Sequence, residues 1–468
     1  MPRQDLKYIR IADSIEQLIR KDLLKIGDRL PSLRSVCVEK MVSINTASQA
    51  YIELERRGLI ESRPQSGYFV SYTHKRFNNL PAITRPLMAT MHEDVEELYA
   101  SILRNAGEAE ILLSSSLLAE ELFPKAKLNK AIMEATRTLP DSGLNYDRLG
   151  NKRLKRQVAI RSVKWGGKLN AEDIITTAGC MEAISFCLMT LGKAGDAIAV
   201  ESPTFYGILH SAKKLGLNVI ELPTHPVTGI EIETLKHAIL KKRVKLCLLV
   251  SNYSNPLGSC MPDENKRAVV ELLTHYNVPL IENDIFGDLY FGTQRPSCCK
   301  TYDESGMVLY CSSVSKTIAP GYRVGWIEAG KFKDQVSRTK YAHALYTSSI
   351  THEAMGNFLE NGRYENHLRK LRYLLYRNSL MFLRSISEHF PDDTKVTQPT
   401  GGMHLWVELN ERVNTVDLYN LAIKYNISIA PGRLYTLKNQ YNNSMKLSIG
   451  MTWNSRIQES LKLLGQLA

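Results

Sequence analysis

The chain has 468 residues, of which 44% are hydrophobic and 23% are charged. These fractions are those of a soluble globular protein, and the length allows more than one domain. No apolar run reaches membrane-spanning length and the first residues lack the apolar core of a signal peptide, which predicts a cytoplasmic protein. The eight cysteines are scattered without a C-x-x-C pair, which favours reduced thiols and predicts no metal site.

Positive charge is concentrated near the N-terminus. The formal net charge is +12, and residues 1–76 carry 14 lysines and arginines against 9 acidic residues. This density favours a polyanionic partner, although many ordinary domains are mildly basic. Charge alone therefore leaves the partner open.

The first seventy residues predict three helices and two short strands. Apolar residues recur at helical spacing over 8–19. Ser32 and Ser43 are suited to cap the next two helices, and Gly58 follows the third. A strand, a turn and a second strand are then predicted over 59–63, 64–67 and 68–71. Three helices followed by a two-stranded wing describe a winged helix-turn-helix.

Three motifs in this region resemble the GntR family of bacterial regulators. They read Gly-Asp-Arg-Leu-Pro-Ser-Leu-Arg at 27–34, Ala-x3-Tyr-x2-Leu-Glu-x2-Gly-Leu-Ile at 47–60, and Ser-Gly-Tyr-Phe-Val at 66–70. The resemblance implies that residues 1–71 form a DNA-binding domain, whose third helix enters the major groove while its wing reaches the DNA backbone. It places near double-stranded DNA the residues Arg34, Ser43, Asn45, Thr46 and Gly67.

These residues are expected to contact DNA in different ways. Arg34 is expected to bind a phosphate or to reach a base, and the sequence leaves both open. Asn45 is suited to read adenine through its amide, whereas Thr46 suits a phosphate. Many relatives carry an arginine near Ile44 and Asn45, and this chain does not. The core of the domain is predicted to contain Tyr51, Leu54 and Leu59.

Residues 72–112 mix charge, proline and short helical stretches, and predict a linker that packs partly on a larger domain. From 113 to 468 predicted strands and helices alternate, the pattern of an α/β fold with a mostly parallel sheet. Apolar runs that look like buried strands, each ending at a motif, cover 197–200, 246–250, 280–282 and 308–311. Because ligands bind at the carboxyl ends of parallel strands, these motifs predict a site at that edge.

The most specific motif of the second region reads Ser-x-Ser-Lys-x3-Pro-Gly-x-Arg-x-Gly over 313–325. The Lys316 amine is suited to form a Schiff base with an aldehyde cofactor. The hydroxyls of Ser313 and Ser315 and the planar guanidinium of Arg323 are suited to hold a phosphate beside it. The string resembles the lysine segment of aminotransferases of the aspartate aminotransferase fold, which implies that pyridoxal 5'-phosphate (PLP) binds here.

Further segments resemble other parts of the PLP site of that fold. Residues 177–184 follow a predicted strand and open a helix, whose free N–H groups and dipole suit a phosphate. The resemblance implies that Phe205 stacks on the cofactor ring and that Asn255 donates to its phenolic oxygen. Tyr146 resembles the tyrosine that reaches the phosphate in the partner subunit, which implies a homodimer. The residues expected at the helix start are Gly179, Cys180 and Met181.

Two departures from the aminotransferase pattern bear on catalysis. Relatives hold the pyridine nitrogen with an aspartate, and an ungapped alignment puts Asn283 in that slot and Asp284 one step on. Neighbours on a strand point to opposite faces, so the sequence leaves open which of the two faces the ring. Phe286 stands where a tyrosine normally binds the phenolic oxygen.

The clamp on the substrate carboxylate also differs from that pattern. Relatives have an arginine on a late strand, where this chain has Lys446. Lysine supplies the charge without the bidentate fork. Arg433 is a nearby alternative for this role.

A GntR-type winged helix joined to an aminotransferase-like domain is the layout of the MocR subfamily of regulators, which the chain resembles. The resemblance implies a homodimeric transcription regulator that binds DNA and PLP and senses a small amine, an amino acid or PLP itself. An active aminotransferase with an attached DNA-binding domain is the alternative, and Asn283, Phe286 and Lys446 predict that its activity is weak or absent. A third interpretation is a DNA-binding protein whose large domain holds no PLP.

Overall fold

The computed structural model describes residues 7–21, 23–24, 27–63, 66–70, 80–82, 94–105 and 109–468. The chain divides into two compact units, Met1–Asn78 and Asn79–Ala468, and the division falls inside the range predicted as a linker. The predicted turn residues Pro64 and Gln65, Ser71 of the second predicted strand and most of the linker before residue 94 lie outside the described residues.

The first unit contains three helices followed by an antiparallel pair of strands. These elements are α1 Lys7–Arg20, α2 Leu33–Lys40, α3 Ile44–Arg56, β1 Ile60–Arg63 and β2 Gly67–Val70. The predicted caps are confirmed, because the Ser32 hydroxyl accepts from the Ser35 N–H at 3.1 Å and the Ser43 hydroxyl accepts from the Thr46 N–H at 3.2 Å.

A small apolar core holds this unit together. Tyr51 and Leu54 are fully buried and Leu59 is nearly so, as predicted. The Tyr51 hydroxyl donates to the Pro31 carbonyl at 2.7 Å, which ties α3 to the segment before α2. In the wing, Ile60 pairs with Val70. The predicted winged helix-turn-helix is therefore the fold of this unit.

The second unit alternates helices and strands along the chain. Its helices are α4 Asp94–Asn105, α5 Lys125–Thr138, α6 Lys152–Ser162, α7 Cys180–Leu191, α8 Tyr206–Lys214, α9 Ile232–Lys242, α10 Asp263–His275, α11 Lys333–Ala344, α12 Ser349–Glu360, α13 Arg363–His389, α14 Thr415–Ala422 and α15 Ser455–Leu467. Its strands are β3 Ile111–Leu112, β4 Ile174–Thr177, β5 Ala197–Ser202, β6 Asn218–His225, β7 Gly229–Ile230, β8 Val244–Leu249, β9 Leu280–Asn283, β10 Val308–Ser313, β11 Gly325–Glu328, β12 Lys395–Val396, β13 His404–Glu408, β14 Ile427–Ser428, β15 Ala430–Pro431 and β16 Ser444–Ser448.

The largest sheet has eight strands in the order β4-β11-β10-β9-β8-β5-β6-β7. The inner pairs β10–β9, β9–β8, β8–β5 and β5–β6 are parallel, whereas β11 and β7 pair antiparallel with their neighbours. Apolar side chains such as Leu246, Leu248 and Ile281 are fully buried because helices cover both faces of the sheet. The predicted α/β fold with a mostly parallel sheet is confirmed.

A smaller sheet follows in the order β12-β13-β16-β15, and β3 pairs in parallel with β14. The β3–β14 pair joins the end of the predicted linker to the C-terminal part of the unit. Helix α4 packs on the same unit, since Tyr99 stacks on Tyr206 at 4.1 Å and the Asn105 amide donates to the Tyr419 hydroxyl at 2.8 Å. Within the described residues, no helix has the length and apolarity needed to span a membrane.

Candidate functional site

A cavity of about 120 Å³ lies at the carboxyl ends of β8, β9 and β10, beside the start of α7. This is the edge at which ligands bind in open α/β sheets. Most of the predicted cofactor residues line it. The lining comprises Ser116, Cys180, Met181, Phe205, Val250, Asn255, Asn283, Ile285, Phe286, Ser315, Lys316 and Arg323.

Lys316 lies in this cavity, in the loop after β10. Its Nζ donates to the Ser116 carbonyl at 2.8 Å. Burial, helped by the positive charge of Arg323, lowers the pKa of Lys316 to about 8. A substantial fraction of the amine is therefore neutral near physiological pH, the form that attacks an aldehyde.

Arg323 and the first residues of α7 line the same cavity. Arg323 adopts a left-handed backbone conformation with φ 54°, and its Nη2 donates to the Ala178 carbonyl at 2.8 Å. Gly179 caps α7 with φ 97°, and a Cβ there would lie 2.6 Å from Arg323 Nη2, so glycine is required for this close approach. The Ser315 hydroxyl is buried and has no hydrogen-bond partner among the described residues. Guanidinium, hydroxyl and helix N–H groups together suit a phosphate.

Two further residues of the lining are Asn255 and Phe205. The Asn255 Oδ1 atom is buried and accepts no hydrogen bond from the residues that the structure describes. The Phe205 ring lies against Gly207, where a Cβ would come within 2.6 Å of Phe205 Cε1. Its ring is half-buried and borders the cavity.

The structure shows which of two neighbours faces the cavity: Asn283, the last residue of β9, or Asp284, which follows it. Asn283 lines it, and its Oδ1 accepts from the Cys180 thiol at 3.2 Å. Asp284 instead borders a separate cavity of about 30 Å³. The expectation that the two side chains point to opposite faces is confirmed.

Asp284 is paired with Arg295 beside the smaller cavity. Its carboxylate accepts from Arg295 Nη2 at 2.5 Å, from the Tyr310 hydroxyl at 2.8 Å and from the Asn252 amide at 2.9 Å. Arg295 also pairs with Asp288 at 2.7 Å, and the positive charges of Arg161 and Arg295 hold the pKa of Asp288 well below its usual range. The carboxylate of Asp284 is thus committed to this buried network.

Five predicted cofactor or effector residues lie in described parts of the chain but do not line the cavity: Gly179, Ser313, Tyr146, Arg433 and Lys446. Gly179 packs against Arg323, which does line it. The Ser313 hydroxyl accepts from the Ser315 N–H at 3.2 Å and borders the smaller cavity, so it shapes the loop. Tyr146 is 73% exposed and its ring centre lies 4.9 Å from that of Tyr346. Arg433 donates to the Lys438 carbonyl.

Lys446 lies behind Ser116, on β16. Its Nζ donates to the Ser116 hydroxyl at 2.9 Å and to the Ser114 carbonyl at 2.6 Å. The Nε2 of His404 is 3.0 Å from the same hydroxyl, and the His404 ring packs edge-on against Phe286 with centres 4.9 Å apart. Sequence reasoning missed Ser116 and His404, because neither belongs to a motif and each is far from Lys316 along the chain.

The predicted DNA-contacting residues lie on the surface of the first unit. Arg34, Ser43 and Asn45 are exposed and Thr46 is half-buried. The Ser43 and Thr46 hydroxyls are 2.9 Å apart, so Ser43 is engaged at the start of α3. Gly67 has φ 101° at the start of the wing, where an L side chain would be strained. The described residues contain no group of three or more histidine, cysteine or acidic side chains placed to hold a metal ion.

Comparison with known proteins defines the class of each unit. Residues 7–70 match the bacterial regulatory proteins of the gntR family, and residues 122–456 match aminotransferase class I and II. The second match covers more than half of the chain. The protein therefore joins a GntR-type helix-turn-helix to an aminotransferase-type domain, the MocR-type architecture.

Relatives that span both units carry regulator names. The chain is 34% identical to YjiR of Escherichia coli strain K12, described as an uncharacterized HTH-type transcriptional regulator, over 98% of both chains. It is 28% identical to the HTH-type transcriptional regulator NorG of Staphylococcus aureus, over 92% of this chain and 98% of NorG. The chain belongs to this family of transcriptional regulators with an aminotransferase-like domain.

Solved structures confirm the fold of the second unit. The multiple substrate aminotransferase of Thermococcus profundus superposes with a TM-score of 0.73 at 24% identity, covering 81% of this chain and 95% of that chain. LysN, the α-aminoadipate aminotransferase of Thermus thermophilus, gives a TM-score of 0.73 at 23% identity over 79% of this chain and 94% of that chain. Both show the aminotransferase fold.

Proposed function

We propose that this regulator binds PLP on Lys316 and senses a small amine or amino acid, or PLP itself, through the cavity of the second unit. The observation that carries the proposal is the convergence of Lys316, Asn255, Ser315 and Arg323 on one cavity. The unpartnered Ser315 hydroxyl and the glycine cradle under Arg323 fit the phosphate of PLP, and Asn255 lines the same cavity with a side-chain amide that is suited to donate to the phenolic oxygen. LysN, of the same fold, was solved with N-(5'-phosphopyridoxyl)-L-leucine.

Each polar residue of the cavity then has a part in holding PLP. Arg323, Ser315 and the N–H groups of α7 hold the phosphate, with Gly179, Cys180 and Met181 at the helix start. Asn255 donates to the phenolic oxygen. When bound, PLP supplies an aldehyde with which an amine forms a reversible carbon–nitrogen double bond. Lys316 provides that amine until an effector amine competes for it.

The rival proposal is a working aminotransferase, which the fold alone would allow. Three residues of this chain disfavour efficient turnover. Asn283 gives the pyridine nitrogen a neutral partner, Phe286 has no hydroxyl, and Lys446 lies behind Ser116 and lacks the bidentate fork of arginine. Turnover with an amino donor separates the two proposals.

An absorbance spectrum of the purified full-length chain tests the proposal. PLP bound to Lys316 is expected to absorb in the visible or near-ultraviolet range and to change when a small amine is added. A protein that shows no cofactor band after incubation with PLP supports instead a PLP-free second unit. We further propose that the protein is a homodimer in which Tyr146 reaches the partner subunit, a state that sedimentation velocity measures.

DNA binding is proposed to reside in the first unit, with Arg34, Asn45, Thr46 and the wing at Gly67 against the duplex. Arg34→Ala is expected to weaken binding by about 1–3 kcal/mol if Arg34 contacts a base, and uniformly across sequences if it contacts a phosphate. Fluorescence anisotropy with a specific and a scrambled duplex at two salt concentrations measures both effects, because phosphate contacts release counterions.

The matched variant Arg34→Lys keeps the charge but not the planar fork of the guanidinium, so it retains a phosphate contact and loses a bidentate base contact. Unchanged binding of Arg34→Ala to both duplexes would remove Arg34 from the interface.

Capture of PLP by Lys316 is expected to depend on pH. Because burial lowers the pKa of Lys316 to about 8, its amine is charged below that pH and neutral above it. The capture rate should therefore rise about tenfold per pH unit below pH 8 and then level off, since the neutral amine is the nucleophile. Stopped-flow absorbance measures the rate, with a lysine peptide of ordinary pKa near 10.4 as the control. A rate that climbs in parallel with the peptide to about pH 10 would contradict the role of burial.

A further inference from the structure

The outward face of α3 carries no charge over its first two turns. The inner face of this helix is formed by four fully buried residues: Ala47, Ala50, Tyr51 and Leu54. Away from these, the first two turns present Ile44, Asn45, Ser48 and Gln49. Ile44 is 50% exposed, and Asn45 and Gln49 are exposed as well. No lysine, arginine, aspartate or glutamate occurs over residues 41–52, so this face is neutral.

Two side-chain amides lie on the neutral face. Asn45 and Gln49 stand four residues apart, about one helical turn, so their side chains project in the same direction. Neither side-chain amide has a hydrogen-bond partner among the described residues. By contrast, the Ser43 and Thr46 hydroxyls are 2.9 Å apart and belong to the cap of the helix. The described part of this unit therefore makes no use of the Asn45 and Gln49 amides.

Each of these groups is chemically matched to an A·T base pair. In the major groove adenine offers an N7 acceptor and an N6 donor, which the amide of asparagine or glutamine binds with two hydrogen bonds. Thymine offers a C5 methyl group, which an exposed apolar side chain such as Ile44 contacts. Guanine is most often bound by arginine or lysine, and this face has neither. The chemistry of the face therefore favours A·T over G·C pairs.

We infer that α3 recognises A·T pairs in the major groove, with Asn45 and Gln49 on adenines and Ile44 on a thymine methyl group. The inference rests on the proposed DNA binding of the first unit and names the bases that this unit recognises. The match to the gntR family supports that binding, and the recognition helix of a helix-turn-helix places its N-terminal residues against base edges. Four residues of helix rise about 6 Å, close to two base-pair steps of about 3.4 Å. The two adenines should therefore lie in pairs one or two steps apart.

Selection of duplexes from a randomised library supplies the DNA for the test. The full-length chain is incubated with the library, and the bound duplexes are amplified and sequenced. We expect enrichment of A·T pairs at two or more neighbouring positions. A selected site in which no position prefers A·T would overturn the inference.

Two changes to the selected duplex remove single groups from the major groove. Deoxyuridine in place of thymidine removes only the C5 methyl group, and 7-deazaadenine removes only the N7 acceptor. Contacts in the minor groove therefore do not respond to either change. In fluorescence anisotropy, uracil at the contacted thymine should weaken wild-type binding about fourfold, the weight of one buried methyl group. A 7-deazaadenine at a contacted adenine should weaken it about fivefold, the weight of one hydrogen bond.

Two variants assign these responses to residues. Ile44→Ala should bind the thymine and uracil duplexes equally while keeping its response to 7-deazaadenine. Gln49→Ala should lose the response at one adenine while keeping the response to uracil. Both side chains are exposed, so alanine leaves the core of the unit intact. The exposed Gln17 of α1 supplies the matched control, and Gln17→Ala should respond as the wild type does.

Equal wild-type binding to the unmodified, uracil and 7-deazaadenine duplexes would overturn the inference and leave the proposed DNA binding standing. Full responses in both Ile44→Ala and Gln49→Ala would overturn it too, because other residues would then make the contacts. A wild-type chain that binds no duplex from the library refutes the proposed DNA binding, and the inference with it. The unmodified duplex thus separates the failure of the one proposal from the failure of the other.

Discussion

The Lys316→Ala variant is expected to lose the covalent PLP adduct completely. The wild-type amine is buried in the cavity with a pKa lowered to about 8, and the proposed phosphate ligands Ser315 and Arg323 line the same cavity. Alanine offers no nitrogen, so no carbon–nitrogen bond forms. Non-covalent binding through Arg323 and Ser315 should remain and weaken, because the phosphate contacts are intact. Borohydride reduction followed by mass spectrometry of the peptide over 316 measures the adduct.

Lys446 is the second buried lysine with which PLP could react in this experiment. It is a second buried lysine whose pKa is lowered, to about 7, but Ser116 stands between it and the cavity. The adduct should therefore map to Lys316 in the wild type and should not move to Lys446 in the variant. An adduct of undiminished yield in Lys316→Ala would refute the assignment of the PLP lysine. The exposed Lys424→Ala should behave as the wild type.

The Asn283→Asp variant is expected to raise transamination chemistry that is slow in the wild type. Asn283 lines the cavity, and the Cys180 thiol donates to its Oδ1, so its amide N–H groups are left to face the ligand. A neutral amide cannot stabilise a pyridinium. An aspartate would place a negative charge beside the pyridine nitrogen and raise the pKa of that nitrogen by about 1–3 units, roughly 1.4–4 kcal/mol. Part of that energy lowers the barrier to carbanion formation next to the ring.

Nitrogen NMR of 15N-labelled PLP on the protein measures this effect independently of turnover. The wild type should show an unprotonated pyridine nitrogen at neutral pH, and Asn283→Asp a protonated one. Asn170→Asp is a matched control, because Asn170 is a helix cap far along the chain from Asn283 and aspartate caps equally well. A protonated nitrogen in the wild type, or turnover at ordinary aminotransferase rates, would show that Asn283 does not limit the chemistry.

Much of the fold follows from local patterns in the sequence. Ser32 and Ser43 are predictable as helix caps because each precedes a helical run, and both hydroxyls accept the expected N–H groups. The alternation of side-chain direction along a strand predicts that Asn283 and Asp284 point to opposite faces, although it does not predict which of the two side chains faces the cavity. The network of Asp284 with Arg295 and Tyr310 decides that, and its members come from different loops and strands.

The sequence is least informative where the site depends on distant residues. Ser116 and His404 reach Lys316 and Lys446 through the pairing of β3 with β14 and of β13 with β16, which no motif records. Ser313 resembles a phosphate ligand by spacing, but its hydroxyl accepts from Ser315 and turns away from the cavity. Spacing places a residue on a loop, whereas the packing of neighbouring strands decides which way its side chain points.

The affinity of the full-length chain for its DNA, measured with and without PLP and a small amino acid, tests the central claim most directly. Regulation by an effector requires that PLP and the amino acid bind the DNA-bound and the DNA-free protein with different affinities. Their binding must therefore shift the affinity of the protein for DNA. We predict a shift in the wild type on adding PLP or the amino acid, and none from the amino acid in Lys316→Ala. A DNA affinity that stays constant in the wild type while the PLP adduct forms and responds to the amino acid would contradict the proposed regulation.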